Sequence, residues 1–296
     1  MTTIVPFDES HIHLFTSWFN ALPRNNVWTD AWTRSRSIDD ASYRPDLMIA
    51  ALQGEEPVGF LLGSIAEGKG WIKAFLVRPD RQRQGICAAM FEHIERAFEE
   101  QGVQEIIVGW APPRYLLPGV DISYTSAIVF LDRRGYQTTR ETRVNKDVVI
   151  RDRDWSTADQ ENRLLEQGFT IRRGRAEDQS GLRHLCETHN SLVWAIETEM
   201  ALQRDPITLF VAEQEGTICA FAAHSVAGPI HFGPMLTAPH LRGAGIGSVL
   251  LKRCLRDWQN AGCERCEIVW AGPLSFYART VGATMGRAFW VYGKSL

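Results

Sequence analysis

Arg242-Gly243-Ala244-Gly245-Ile246-Gly247 lies between an apolar, strand-like run, Ile230–Thr237, and an amphipathic, helix-like run, Ser248–Trp258. A glycine-rich turn in that position opens a helix on an anion, because free backbone N–H groups and the positive end of the helix dipole point at whatever sits there. Gly243, Gly245 and Gly247 permit positive φ and let a ligand approach bare backbone. Arg242 adds a fixed charge suited to phosphate oxygens. Two other phosphate-binding loops share this physics and are excluded by detail. No Gly-Lys-Ser/Thr ending supplies the lysine and magnesium ligand of a P-loop, and glycines alternating as G-x-G-x-G depart from the dinucleotide spacing.

The unit occurs twice. Shifted by 160 residues, Ile72–Ala111 aligns without gaps on Phe232–Ala271, so that Pro79 falls on Pro239, Gly85 on Gly245, Arg96 on Arg256, Gly102 on Gly262 and Trp110-Ala111 on Trp270-Ala271. Gln82-Arg83-Gln84-Gly85-Ile86-Cys87 then stands where Arg242–Gly247 stands. Phe276-Tyr277-Ala278-Arg279-Thr280-Val281-Gly282-Ala283 follows the second copy, and Phe130-Leu131-Asp132-Arg133-Arg134-Gly135-Tyr136 the first. The Trp-Ala pair precedes this Phe by 20 residues in the first copy and by 6 in the second, so the first carries a 14-residue insertion around Pro112–Asp121. A repeat of this length means two tandem domains rather than a solenoid.

Arg-x-x-Gly-x-Gly after a strand resembles motif A of the GNAT superfamily of acyl-CoA-dependent N-acyltransferases, and the Phe-Tyr-x-x-x-x-Gly stretch resembles that superfamily's later helix and turn. The resemblance implies two tandem GNAT domains of the α/β (α+β) class, each a mixed, mostly antiparallel sheet with helices on both faces. It places domain boundaries at 1–150 and 165–296 with a polar linker at 151–164. It implies acetyl-CoA as the acyl donor. The second loop, Arg242, Gly243, Ala244, Gly245, Ile246 and Gly247, would hold the pyrophosphate, as would Gln82, Arg83, Gln84, Gly85, Ile86 and Cys87 in the first copy. Glutamine is accepted at the first motif position, whereas Cys87 departs from the usual glycine or alanine.

Composition sets outer bounds. The chain has 296 residues, 45% hydrophobic and 23% charged, enough for two folded domains with sizeable cores. A net charge of −3 with no basic run argues against a nucleic-acid surface. No stretch approaches the roughly 20 apolar residues of a membrane span, and Met1–Glu9 has no basic region followed by an apolar one, so a cytoplasmic protein is expected. Cys263-x-x-Cys266 lacks the second pair or the histidines of a zinc site, and His11-x-His13 reads as solvated helix positions, so no metal is expected.

Strand and helix patterns run in the same order in both halves. Thr3–Val5, a helix over Glu9–Leu22, a variable segment Asn26–Ala41, a hairpin Leu47–Leu52 and Val58–Gly63, and the strand Trp71–Val77 lead to the first loop. A helix over Cys87–Gln101, a strand Val103–Trp110, a helix around Ser126–Arg134 and a strand Thr138–Val149 follow it. In the second half Phe169–Arg173, a helix from Glu177 to about Asn190, a helix with Trp194, Glu197, Glu199 and Met200, the hairpin Leu209–Glu213 and Ile218–Ser225, and Ile230–Thr237 lead to the second loop.

Acyl transfer from a thioester to an amine needs donors for the carbonyl oxygen, a base for the ammonium and an acid for the departing thiolate. The GNAT resemblance implies donors on the strand before each loop, at Met235-Leu236-Thr237 and Phe75-Leu76-Val77, with the Leu236 amide the expected oxyanion donor. Cofactor contacts are expected from Met235, Leu236, Thr237, Leu76 and Val77. Tyr277 matches the family tyrosine that faces the sulfur; an ordinary core tyrosine beside Phe276 is the alternative. Histidine titrates near neutral pH, so His231 is a candidate base, set against a strand-edge histidine bonded to backbone; Glu197, Glu199 and Glu267 are other candidates. Leu131 and Trp71 stand at the matching places of the first half.

The expected function is therefore an acetyl-CoA-dependent N-acetyltransferase acting on a small-molecule amine, working in its C-terminal domain, as a monomer with intramolecular domain pairing or as a homodimer. Two alternatives are a non-catalytic acyl-CoA-binding module and catalysis in the N-terminal domain, with Tyr124 near the insertion as a substitute acid.

Overall fold

Hydrophobic spacing accounts for the helix that follows each loop. In the computed structural model, which describes residues 2–23, 28–112, 114–189 and 191–296, the second of these spans Ile246–Asn260 and buries Ile246, Val249, Leu250, Leu251, Cys254, Leu255 and Trp258. Met1, Asn26 at the start of the variable segment, Pro113 in the insertion and Asn190 at the expected end of a helix lie outside the described residues.

In chain order the elements are β1 (Thr2–Pro6), α1 (Ile12–Ala21), α2 (Asp30–Arg36), β2 (Met48–Gln53), β3 (Glu56–Ala66), β4 (Lys69–Val77), α3 (Ile86–Glu100), β5 (Glu105–Val108), β6 (Val120–Asp121), α4 (Thr125–Arg133) and β7 (Gln137–Val149). There follow α5 (Ala158–Glu166), β8 (Phe169–Arg173), α6 (Gln179–Thr188), α7 (Leu192–Leu202), β9 (Leu209–Gln214), β10 (Thr217–His224), β11 (His231–Thr237), α8 (Ile246–Asn260), β12 (Arg265–Ile268), α9 (Leu274–Val281) and β13 (Thr284–Ser295). The chain divides into unit 1, Met1–Arg143 with Arg287–Leu296, and unit 2, Val144–Gly286.

In unit 1 the strands run β1-β2-β3-β4-β5-β13, with β4 and β5 parallel and the other pairs in this order antiparallel. Alternation along β2 sends Ile49 and Ala51 to a core under α3, with Met90, Phe91, Ile94 and Phe98, while Met48 and Ala50 join Phe15, Phe19, Trp28 and Trp32 of the α1–α2 side. Unit 2 repeats this as β8-β9-β10-β11-β12-β7, with β11 and β12 parallel. There Phe210 and Ala212 of β9 face α8, and Leu209 and Val211 face the side carrying Leu182, Leu185 and Ala195 of α6 and α7. Each unit is thus a mixed, mostly antiparallel sheet with helices on both faces.

Two boundaries differ from the sequence expectation of domains at 1–150 and 165–296. β13 from Arg287 onward pairs with β5 of unit 1, Tyr292 opposite Val108, and the end of β7 pairs with β12 of unit 2, Val148 opposite Cys266. Each half therefore completes the other's sheet with its last strand. The expected 151–164 linker runs into α5 from Ala158 onward, because Leu164 enters the unit 2 core and Glu161 holds Arg253 of α8 through Nε at 2.6 Å.

Candidate active site

The second loop has the geometry that its glycines permit. Gly243 and Gly245 take φ of 97° and 92°, and a Cβ at either would meet nothing within 4 Å, so backbone conformation rather than crowding selects glycine there. Residues 242–245 are exposed. Val249 N–H donates to Gly245 O at 3.2 Å, one of the first bonds of α8, which leaves the Ile246 and Gly247 amides at the electropositive start of the helix. At Gly247 a Cβ would lie 3.3 Å from Met235 Cε and 3.6 Å from Phe276 Cζ, so the helix start packs closely on β11 and α9. Arg242 Nε donates to Thr237 O at 3.3 Å, tying the loop to the strand before it, and Ala244 N–H reaches Leu241 O. This exposed cradle of amides fits the pyrophosphate of an acyl-CoA.

β11 leaves its parallel neighbour just before the loop. Its pairing with β12 runs from His231–Glu267 to Phe232–Ile268. Against β10 the register shifts between Ala222–Met235 and His224–Phe232, so Gly233-Pro234 contributes one extra residue, a β-bulge. Ladder register also decides which amides are available. Ala238 N–H donates to Cys219 O at 3.0 Å, and hydrogen-bonded pairs alternate along an antiparallel ladder. Leu236, opposite Phe221, is the next such pair, so its amide points into β10, while those of Met235 and Thr237 point toward the split. The sequence expectation of Leu236 as the oxyanion donor is corrected by this register: the amide that faces the split at that level is Met235's.

His231 is buried, with Nε2 3.7 Å from Glu267 Oε2 and Nδ1 against Gly228, where an added Cβ would approach to 2.5 Å. Its neighbour Phe232 joins the α8-side core, so His231 and Glu267 lie on the opposite face. Glu267 accepts from Asn145 Nδ2 at 2.8 Å. Tyr277, on α9, is on the α8 side, its ring edge-on to Phe232 at 6.2 Å. Burial pushes its hydroxyl well above the ordinary tyrosine value, so it stays protonated and able to donate. α9 closes at Gly282, φ 62°, where Arg153 Nη1 donates to Val281 O at 2.6 Å. Glu197 is buried on α7, not part of an exposed acidic face, whereas half-exposed Glu199 accepts from Gln179 at 2.8 Å.

Unit 1 keeps the loop and changes the chemistry. Gln82 Nε2 donates to Val77 O at 3.3 Å, the counterpart of the Arg242 bond, and Gly85 takes φ 81°. Arg83 adopts φ 60° where unit 2 has Gly243, and Gln84 Nε2 donates to Asp80 O at 3.4 Å before α3 opens at Ile86. Leu76 pairs with Phe60 as Leu236 does with Phe221. Burial pushes the Cys87 thiol up to about 12, so it stays neutral at the helix start. Leu131 is fully buried where unit 2 has Tyr277. The Tyr124 hydroxyl accepts from Arg287 Nη2 at 3.1 Å and donates to Pro23 O at 3.3 Å.

The β4 bulge holds a residue that sequence reasoning passed over. Lys73, on the repeat position of Gly233, is the extra residue between Leu62–Ala74 and Gly63–Ile72. Its fully buried Nζ lies 3.1 Å from Asp40 Oδ2 and 3.1 Å from Ser42 Oγ. Burial lowers its pKa against the opposing pull of Asp40. In unit 2 a Cβ at Gly233 would meet nothing within 4 Å. A buried lysine side chain at one bulge is thus replaced by a bare glycine at the other. Lysine within a strand of mostly apolar residues was the available signal.

A strand that splits from its parallel neighbour above a glycine loop at a helix start defines an acyl-CoA-type transferase fold. The chain matches the "Acetyltransferase (GNAT) family" over residues 12–113 and the "Acetyltransferase (GNAT) domain" over 205–280. It belongs to the GNAT superfamily as a tandem, two-domain member. Its fold is similar to that of a fungal "GCN5-related glucosamine N-acetyltransferase region" of a multi-domain GH3 β-N-acetylglucosaminidase, with TM-score 0.73 and 18% identity over 99% of this chain. This chain spans 38% of the length of that protein. It is similar also to a "Tandem GNAT protein from the clavulanic acid biosynthesis pathway", with TM-score 0.72 and 14% identity over 100% of this chain and 98% of the other. A GCN5-related N-acetyltransferase from Sphaerobacter thermophilus gives TM-score 0.71 and 13% identity, over 99% and 95% of the two chains. No curated protein sequence matches the chain. Among the described residues no helix is long and apolar enough to cross a membrane.

Proposed function

We propose that unit 2 moves an acetyl group from acetyl-CoA to the primary amine of a small molecule. The observation that carries this reading is the β11 bulge: open space at Gly233, with the buried His231–Glu267 pair on one face and protonated Tyr277 on the other. Acetyl-CoA supplies an activated thioester carbonyl. The Arg242–Gly247 loop holds the pyrophosphate, and the Met235 and Thr237 amides line the split in which the pantetheine arm lies. Met235 N–H donates to the carbonyl oxygen as it gains charge. His231, backed by Glu267, takes the proton that the acceptor ammonium must lose before its nitrogen attacks. Tyr277 gives its proton to the departing sulfur. Glu197, buried on α7, adds negative charge on the acceptor side of the sheet, which suits a cationic substrate.

Unit 1 has the loop without the acid and fills the bulge with Lys73, so we assign it a binding or bracing part. Thiol release from acetyl-CoA over a panel of amines tests the reading. Wild type turns over at least one amine, and Tyr277→Phe loses about 10²–10⁴-fold in kcat. Equal turnover by both removes Tyr277 from the reaction. Tight acetyl-CoA binding without turnover on any amine replaces the enzyme with an acyl-CoA-binding module.

A further inference from the structure

We infer that Asn145 of β7 is a positioning residue for the unit 2 base: its side chain fixes the Glu267 carboxylate against His231. The inference rests on the reading of His231 as proton acceptor.

Asn145 is 1% exposed and fully committed. Nδ2 donates to Glu267 Oε2 at 2.8 Å, and Oδ1 accepts the Trp270 backbone N–H at 3.0 Å, so the amide cannot turn without losing both bonds. Glu267 Oε2 is in turn the atom 3.7 Å from His231 Nε2. His231 itself is braced by backbone, donating to Gly228 O at 3.1 Å and accepting from Ser225 N–H at 2.8 Å.

The repeat supplies a control within the molecule. His231 and Glu267 align with Trp71 and Ile107. Lys146 lies opposite Ile268, and Tyr292 lies opposite Val108, the repeat position of Ile268, so Asn145 corresponds to Val291. Trp71, Ile107 and Val291 form one buried apolar cluster in unit 1. The same position of the same fold is therefore stable with three apolar side chains, and unit 2 places a histidine, a carboxylate and an amide there instead. Burying polar groups costs free energy even when they are hydrogen-bonded. Packing alone does not call for them; a proton acceptor does.

Two further carboxylates share the non-α8 side of the sheet, Asp147 of β7, directly opposite Glu267, and Glu197, buried on α7, while other titratable groups around β11 are engaged or face the α8 side. His224 of β10 meets Asp257 at 3.3 Å and Ser225 Oγ at 3.1 Å, with its ring on Trp258. Cys219, Cys254 and Cys266 belong to the α8-side core, Arg253 holds Glu161, Lys252 donates to Gln160, and Glu199 accepts from Gln179.

The test is the pH profile of kcat/KM in full-length Asn145→Val, Glu267→Gln and His231→Ala. Asn145 N–H stabilises the anionic, proton-accepting form of the pair, so its loss raises the pair's proton affinity and moves the acid limb up by about one pH unit. Glu267→Gln removes the counter-charge and moves the limb down. Asn145→Val also lowers kcat by about tenfold, part of the ~10²–10⁴ of general base catalysis, with KM for acetyl-CoA within about twofold. An unmoved acid limb in Asn145→Val, beside a shifted one in Glu267→Gln and an inactive His231→Ala, overturns the inference and leaves the base in place. Wild-type activity in His231→Ala overturns the base assignment itself. If Asn145→Val does not fold, Asn145→Ala, which keeps a small side chain, is read the same way.

Discussion

Alanine at Gly245 and at Gly85 makes one chemical change at the same point of each repeat. The two glycines precede α8 and α3 with φ of 92° and 81°, and at neither would a Cβ meet an atom within 4 Å. The cost is therefore backbone strain alone, ~1–2 kcal/mol for an L-residue in left-handed conformation. For a unit of this size that is a melting shift of roughly 2–8 °C, nearly equal in the two variants. Function separates them. If the strained turn relaxes, the amides at the start of the helix lose their aim, and one charge-assisted hydrogen bond to phosphate is worth ~1.5–3 kcal/mol. In Gly245→Ala the KM for acetyl-CoA accordingly rises about 10–100-fold, while in Gly85→Ala it stays within about twofold. Thermal melts and steady-state thiol release measure both quantities on the same preparations. Equal loss of activity in the two variants, or unchanged KM in Gly245→Ala despite the expected melting shift, would mean that the second loop does not hold the cofactor.

Lys73→Met leaves Asp40 buried beside Ser42 without its cation and lowers stability by ~3–5 kcal/mol, while Lys73→Met with Asp40→Asn recovers more than half of that, as chemical denaturation would show. Acid sensitivity follows from Asp178. Its hydrogen bonds from Arg172 Nη1 and Nη2, at 2.7 and 2.8 Å, hold its carboxyl below the ordinary value of 3.8 against the opposing effect of burial. A depressed folded pKa stabilises above the unfolded value and is lost as pH falls through the folded one. Wild type therefore loses melting temperature more steeply than Asp178→Asn as pH falls below about 4, and parallel curves would contradict the assignment.

Much of this was legible in the chain. The Arg242–Gly247 loop, its repeat at Gln82–Cys87 and the flanking helices depend on residues within a few turns of one another, where spacing and glycine conformation decide the outcome. The rest turned on non-local pairing. That β13 joins β5 and the end of β7 joins β12 is a choice of sheet edge, and a strand's own alternation does not name its neighbour. Asn145 became a site residue only through that pairing, since its partner Glu267 lies far along the chain. The direction of the Leu236 amide depends on the parity of a ladder, which a single misplaced residue reverses. Lys73 looked like one polar position in a strand, and its burial follows from a bulge and from Asp40. α5 carried a readable signal, Thr157 with Asp159, Glu161 and Leu164, masked by the polar composition of the segment.

We propose that acetyl-CoA meets the amine at the split after Phe232 in unit 2. A crystal structure of the protein in excess acetyl-CoA tests it most directly. The expected result is pyrophosphate on the amides of Gly243–Gly247, with the thioester carbonyl at Met235 N–H and its sulfur facing Tyr277. An acyl-CoA bound only at Gln82–Cys87, or a thioester turned away from Gly233, would contradict it.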